Sequence, residues 1–181
     1  MKNPNLQAPE SSIAETIALV NNLWDGLENL GVDIPYEFRE LLSKYEEDGE
    51  QCPPSYLLTI QYNLINLGEI LPNLERRLFN VLSTTYIEVS KLCSNFLPYS
   101  IIINEVTSSS DIDILARCLS NIHLLDAIDR HLTESLKMDK NEKPLKKIRS
   151  LKHKYKVFFN LLNTYSNLLM LISNELDLNQ R

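Results

Sequence analysis

From Ile148 to Leu176 an apolar or aromatic side chain recurs at alternating three- and four-residue steps: Ile148, Leu151, Tyr155, Phe158, Leu162, Tyr165, Leu169, Ile172 and Leu176. Nothing else in the chain restricts its fold as strongly. A strand sends alternate residues to opposite faces and would scatter this set. A helix with a 3.5-residue repeat keeps it in one stripe aimed at a neighbouring helix. The aromatic members need a wider interior than a slim two-stranded coil offers, which favours a bundle of three or more helices. The spacing predicts a C-terminal coiled-coil helix over residues 144–178, following Pro144.

A second long stripe supports the same reading. Leu57, Ile60, Leu64, Leu67, Leu71, Leu74, Leu78 and Val81 hold the seam of four heptads. It then slips by one and continues as Leu82, Tyr86, Val89, Cys93 and Phe96. Pro72 lies inside this run, where it removes an amide donor and crowds the carbonyl four residues back. Because the apolar register carries on across it, a kinked helix over residues 55–97 is expected rather than a chain reversal. Before it, Ser12 and Glu15 form a capping-box pair ahead of an apolar face made of Ile13, Ile17, Val20, Trp24 and Leu27. Gly31 ends that helix. A short second one is predicted from Pro35, a favourable first-turn residue, to Gly49, with Cys52-Pro53-Pro54 as a hard stop. Residues 1–11 read as a disordered N-terminus, and 12–50 as an acidic helical pair.

The segment from Ser108 to Leu132 concentrates the residues that could do chemistry. It holds His123, His131 and Cys118 within a helix predicted over 109–138 and capped by Ser109 or Ser110. Its seam reads Leu115, Cys118, Ile122, Leu125, Asp129, Leu132, Leu136. Cys118 sits on the stripe and behaves as a small hydrophobe. His123 and His131 are roughly 12 Å apart by helical rise, too far to share a metal ion. Asp126 and Arg130 have the spacing of an exposed i, i+4 pair. Asp129 is a polar residue on the seam, the kind that sets register. No nucleophile, base and orienting group converge.

Elsewhere the chain has no glycine-rich phosphate loop, H-E-x-x-H, G-x-S-x-G or paired-cysteine zinc spacing. The acidic run Glu46 to Glu50 lacks the ligand alternation of a calcium loop. No catalytic, cofactor-binding or metal-ligating residue is therefore assigned, no small-molecule substrate is implied, and the chain is expected not to be an enzyme. Only four glycines in 181 residues disfavour turn-rich β folds. Three unpaired cysteines, Cys52, Cys93 and Cys118, read as free thiols of a reducing compartment. With no leader-like or membrane-spanning run, the cytoplasm is the expected location, the nucleus the alternative.

Charge is unevenly distributed. Residues 1–50 carry 11 acidic and 3 basic side chains, whereas Lys137 to Lys156 holds 9 of the 18 basic ones. Such a segment could meet phosphates or anionic lipid. It also reads as the solvated face of a helix or a contact for an acidic protein. Without an aromatic stacking platform or groove-reading motif, nucleic acid and membrane are not the expected partners.

The fold class implied is all-α, an elongated helical bundle or coiled coil with long helices. Stripes this long leave apolar surface that another helix must cover. The row from Ile148 to Leu176 is thus the candidate partner-binding surface.

A family resemblance gives this expectation a name. DIDILARCLSNIHLLDAIDRHL, Asp111 to Leu132, is similar to the middle of the dynactin subunit 3 family, the small shoulder subunit of dynactin, in its fungal form. NFLPY, Asn95 to Tyr99, resembles that family's exit from a long helix. LLNTY, Leu161 to Tyr165, resembles part of its C-terminal coiled coil. The likeness covers residues 56 to 178 and leaves out the acidic second helix and the Cys52-Pro53-Pro54 break. It implies a non-catalytic, cytoskeleton-associated subunit packing with dynamitin and the Glued arm, supporting dynein-driven transport on microtubules and nuclear or spindle positioning. The same stripes would serve a helical subunit of a kinetochore, Mediator or tethering complex.

Overall fold

A computed structural model describes residues 8–34, 36–48, 54–92, 113–135 and 142–179. Among these the chain forms five helices and no strand: α1 Ala8–Asn29, α2 Tyr36–Asp48, α3 Pro54–Leu92, α4 Ile114–Ser135 and α5 Glu142–Asn179. The fold is all-α. Three prolines open helices or sit in their first turns: Pro9 in α1, Pro54 as the first residue of α3, Pro144 in α5. Their missing N–H is harmless there, because the first turn has no acceptor for it.

Several boundaries differ from expectation. The first helix starts at Ala8, so Ser12 lies within it rather than at its cap, and residues 1–7 lie outside the described set. Gly31 does end α1. With φ at 77°, it lets the Val32 N–H reach the Leu27 carbonyl at 2.9 Å and its own N–H reach Glu28 at 3.0 Å, a Schellman closure. The fourth helix begins at Ile114, with Asp113 in the cap position accepting the Arg117 N–H at 3.0 Å. Ser109 and Ser110 lie outside the described residues, as do Cys52, Cys93, Phe96 and Leu136. α3 continues as one helix through Pro72 without a reversal.

The chain divides into two units. Unit 1 is Met1–Ile70 with Asn160–Arg181, and unit 2 is Leu71–Phe159. The division on α3 falls beside Pro72. In unit 1, the start of α3 and the end of α5 run antiparallel: Gln61 approaches Ser173, and the Tyr165 hydroxyl donates to the Leu64 carbonyl at 2.8 Å. α1 also packs on α5, with Gly26 against Leu161. The core is Val20, Leu23 and Leu27 from α1, Leu42 and Tyr45 from α2, Leu57, Ile60 and Leu64 from α3, and Leu161, Leu168 and Ile172 from α5. α5 is enclosed on more than one side, which explains the burial of both Leu161 and Leu162.

Unit 2 is built from the rest of α3, from α4 and from the first half of α5. Its core is Leu74, Leu78, Leu82 and Val89 from α3, Cys118, Leu125, Ile128 and Leu132 from α4, and Ile148, Leu151, Tyr155 and Phe158 from α5. Val81, expected on the α3 seam, is 48% exposed, because the buried row steps from Leu78 directly to Leu82. Leu124 and Ile128 on α4 and Leu145, Leu161 and Leu168 on α5 are buried although they lie outside the predicted seams. Each helix packs against more than one neighbour, so its buried face is wider than a two-helix coiled-coil seam.

Candidate interaction surfaces

The row from Ile148 to Leu176 is covered by the chain's own helices. Ile148, Leu151, Tyr155, Phe158, Leu162, Ile172 and Leu176 are buried, and Tyr165 and Leu169 are half-buried. The periodicity expected to receive a partner is spent here on the intramolecular core. Leu168, not Leu169, is the fully buried member of its turn.

The middle segment is structural in its geometry. The Cys118 thiol donates toward the Tyr155 carbonyl at 3.4 Å, and burial pushes its pKa up to about 12. A thiol so held is a poor nucleophile. The Tyr155 hydroxyl is buried without a partner in hydrogen-bonding geometry, although the buried Asn121 amide is the nearby polar group acting on it; burial raises its pKa far above the ordinary value. His123 is exposed. Among the described residues, no group of three His, Cys, Asp or Glu side chains could hold a metal ion, and no helix is long and apolar enough to cross a membrane.

Asp129 owes its seam position to the basic face of α5. Its carboxylate accepts from Arg149 at 3.4 Å and Lys152 at 3.3 Å, and the Thr133 hydroxyl donates to it at 3.1 Å. The Asp126–Arg130 pair does not form. Arg130 donates instead to the Asp126 backbone carbonyl, and the Asp126 carboxylate pairs with Lys152 at 2.8 Å. The hydrogen bond from Lys152 holds the Asp126 carboxyl below its usual range, and the same contact raises Lys152. An interhelical partner won over the i, i+4 one because one ammonium reaches both aspartates. A second clasp ties α3 to α4, with Arg117 gripping Glu75 through two bonds of 2.5 and 3.0 Å, the bidentate geometry that guanidinium favours.

What stays exposed is therefore informative. On α3 in unit 1, Leu58, Tyr62 and Ile65 are 51, 65 and 54% exposed. Their i, i+4, i+7 spacing sets them on one helix face. From Ser55 to Gly68 the chain has no charged residue, so this face is apolar at its centre, and the exposed Glu69, four residues past Ile65, bounds it. Unit 1 also contains a cavity of about 260 Å3 between the α1 terminus and α3, lined by Trp24, Leu27, Val32, Ile34 and Leu67 among others.

Unit 2 has a larger groove, about 630 Å3, between α3 and α5. Val81 and Leu151 contribute its apolar surface, and Lys146, Lys147 and Lys154 its basic edge. Lys147 pairs with Glu88 at 2.8 Å.

Comparison with protein-family models, curated proteins and solved structures returns no match.

The charge polarity of the sequence follows the units. Unit 1 has fourteen acidic and four basic residues, a net −10; unit 2 has ten acidic and fourteen basic, a net +4. Lys137 to Lys156 supplies most of that positive charge. Arg149 and Lys152 are engaged with α4, a structural use of the basic run that periodicity alone did not reveal.

Proposed function

We propose that this chain is a non-catalytic helical subunit of a multiprotein assembly, docking through the neutral face of α3. The observation that carries the reading is the exposed row Leu58, Tyr62 and Ile65 in a stretch free of charge. Monomer surfaces seldom line up large apolar side chains in this way without a use for them. The occupant is a helix with an uncharged, apolar mating face, since a charged one would lose its hydration without gaining a counter-charge. Among the described residues, buried Cys118 and the ion-paired aspartates of α4 have packing roles, which is in keeping with a non-catalytic subunit.

Within this class, the resemblance of Asp111 to Leu132 to the dynactin shoulder favours a dynactin-type role, with dynamitin and Glued-type partners, on the cytoskeleton and in dynein-dependent transport. The row on α5 is buried in the chain's own fold, so the docking surface proposed now lies on α3. Purification of the tagged chain under native conditions, with mass-spectrometric identification of stoichiometric partners, tests the reading. Co-elution of dynamitin and Glued-type subunits, lost in a Leu58→Ser, Tyr62→Ser, Ile65→Ser variant of unchanged helicity, supports it. Stoichiometric co-elution of kinetochore, Mediator or tethering subunits instead assigns the chain to that assembly. A chain that elutes alone and is indifferent to the triple substitution removes the proposal.

A further inference from the structure

We infer that the basic groove of unit 2 receives the acidic helix α2 of a second copy of this chain. The inference is independent of the α3 docking face. Its first support is charge complementarity between surfaces that both belong to this molecule. Lys146 and Lys154 stand exposed on the groove edge with no carboxylate partner among the described residues, and Lys147 is held only by the half-exposed Glu88. α2 exposes Glu37, Glu40, Glu47 and Asp48. Only Glu40 of these is paired, with Lys44 of its own helix at 3.5 Å.

The second support is spacing. Lys147 and Lys154 are seven residues apart, as are Glu40 and Glu47, so each pair is separated by roughly 10.5 Å along its helix. Two helices laid side by side can therefore match both charges at once. Tyr36, 75% exposed, is on the same face of α2 as Glu40 and can cover Val81, the half-exposed apolar residue of the groove. The Glu88 carboxylate lies in the groove and opposes an acidic ligand. On docking, Lys147 exchanges it for Glu40 or Glu47. Unit 2 has three helical segments and unit 1 has four, so the incoming α2 gives unit 2 a fourth.

An electrostatic contact between exposed groups weakens as salt shortens the screening length to a few ångströms. Sedimentation velocity of the whole chain over a concentration series, at about 20 mM and about 0.5 M salt, should show reversible association at low salt and its loss at high salt. Lys147→Glu with Lys154→Glu, and separately Glu40→Lys with Glu47→Lys, should each raise the dissociation constant at least about tenfold, since each sets like charges against one another. Mixing the two variants should restore association, because each supplies the counterpart of the other's reversed surface. A wild-type chain that is monomeric at low salt overturns the inference, as does association that either reversal leaves unchanged or that mixing does not restore. If a reversal fails to fold by far-UV circular dichroism, the neutral pairs Lys147→Gln/Lys154→Gln and Glu40→Gln/Glu47→Gln should each weaken association; unchanged association again overturns it.

Discussion

Replacing Gly68 by alanine tests the antiparallel packing of α3 on α5 in unit 1. In an exposed helix the change would gain about 1 kcal/mol of propensity. Here a β-carbon at Gly68 collides with the hydroxyl oxygen of Tyr165 and comes within 3.3 Å of the ring carbon bearing it. That hydroxyl is not free to move away, because it donates to the Leu64 carbonyl at 2.8 Å. Overpacking of this kind costs about 1–3 kcal/mol, so Gly68→Ala should be destabilising by up to about 2 kcal/mol after the propensity gain. Tyr165→Phe removes the hydrogen bond and should cost about 1 kcal/mol. In the Phe background the colliding atom is gone and the ring needs to shift by only a few tenths of an ångström. There Gly68→Ala should be neutral or stabilising, giving a coupling of about 2 kcal/mol in the double-mutant cycle. Equilibrium urea unfolding of the four proteins, with m-values checked for constancy, measures it. Additivity within about 0.5 kcal/mol would refute the close approach of these two helices.

Three further outcomes follow from single groups. Tyr155→Phe deletes a buried hydroxyl without a hydrogen-bonded partner, so thermal or urea unfolding should show unchanged stability or a gain of up to about 1 kcal/mol; a clear loss would mean that the hydroxyl is bonded in solution. Glu175 has its pKa raised by burial and by the nearby Glu15 charge, against a long hydrogen bond from Tyr45, and its Oε1 is unpartnered. The folded chain thus binds this proton more tightly than the unfolded one, and stability falls as pH rises from the ordinary carboxyl value through the folded one. Glu175→Gln should therefore stabilise by about 1 kcal/mol at pH 7, with the advantage shrinking toward pH 4; an equal or greater advantage in acid would contradict the assignment. Cys118, with its thiol pushed up to about 12, should resist alkylation in the native chain and react once urea unfolds it, as peptide mapping of iodoacetamide adducts can show; native labelling at the rate of a free thiol would count against a packing role.

The helical class was legible because leucine-type residues recur with helical spacing through α3 and α5, and few glycines interrupt them. Partnering between helices was not. A stripe records that a residue is covered, not by what, and the same Ile148 to Leu176 row is compatible with a foreign helix or with α1, α3 and α4 of the same chain. The 3.5-residue template also selected Val81, Tyr165 and Leu169, whereas packing on several neighbours buries Leu124, Leu161 and Leu168, which it did not select. Asp129 was visible as an anomaly, but its explanation lies twenty and more residues away in Arg149 and Lys152. The uncharged stretch from Ser55 to Gly68 could have been noticed in the sequence, since it runs through the length of four helical turns. Whether its side chains face water depends on which other helices pack against α3.

Unit 2 is one continuous stretch, while unit 1 is assembled from the two ends that flank it. During synthesis the ribosome releases α1, α2 and the front of α3 long before Asn160 exists, so Val20, Leu23, Leu42 and Ile60 wait for the helix that completes their core. Unit 2, by contrast, has all its segments once Phe159 has emerged. A product stopped short of Asn160 would carry a finished inner module beside an open, leucine-lined one, a form that chaperones and proteases recognise.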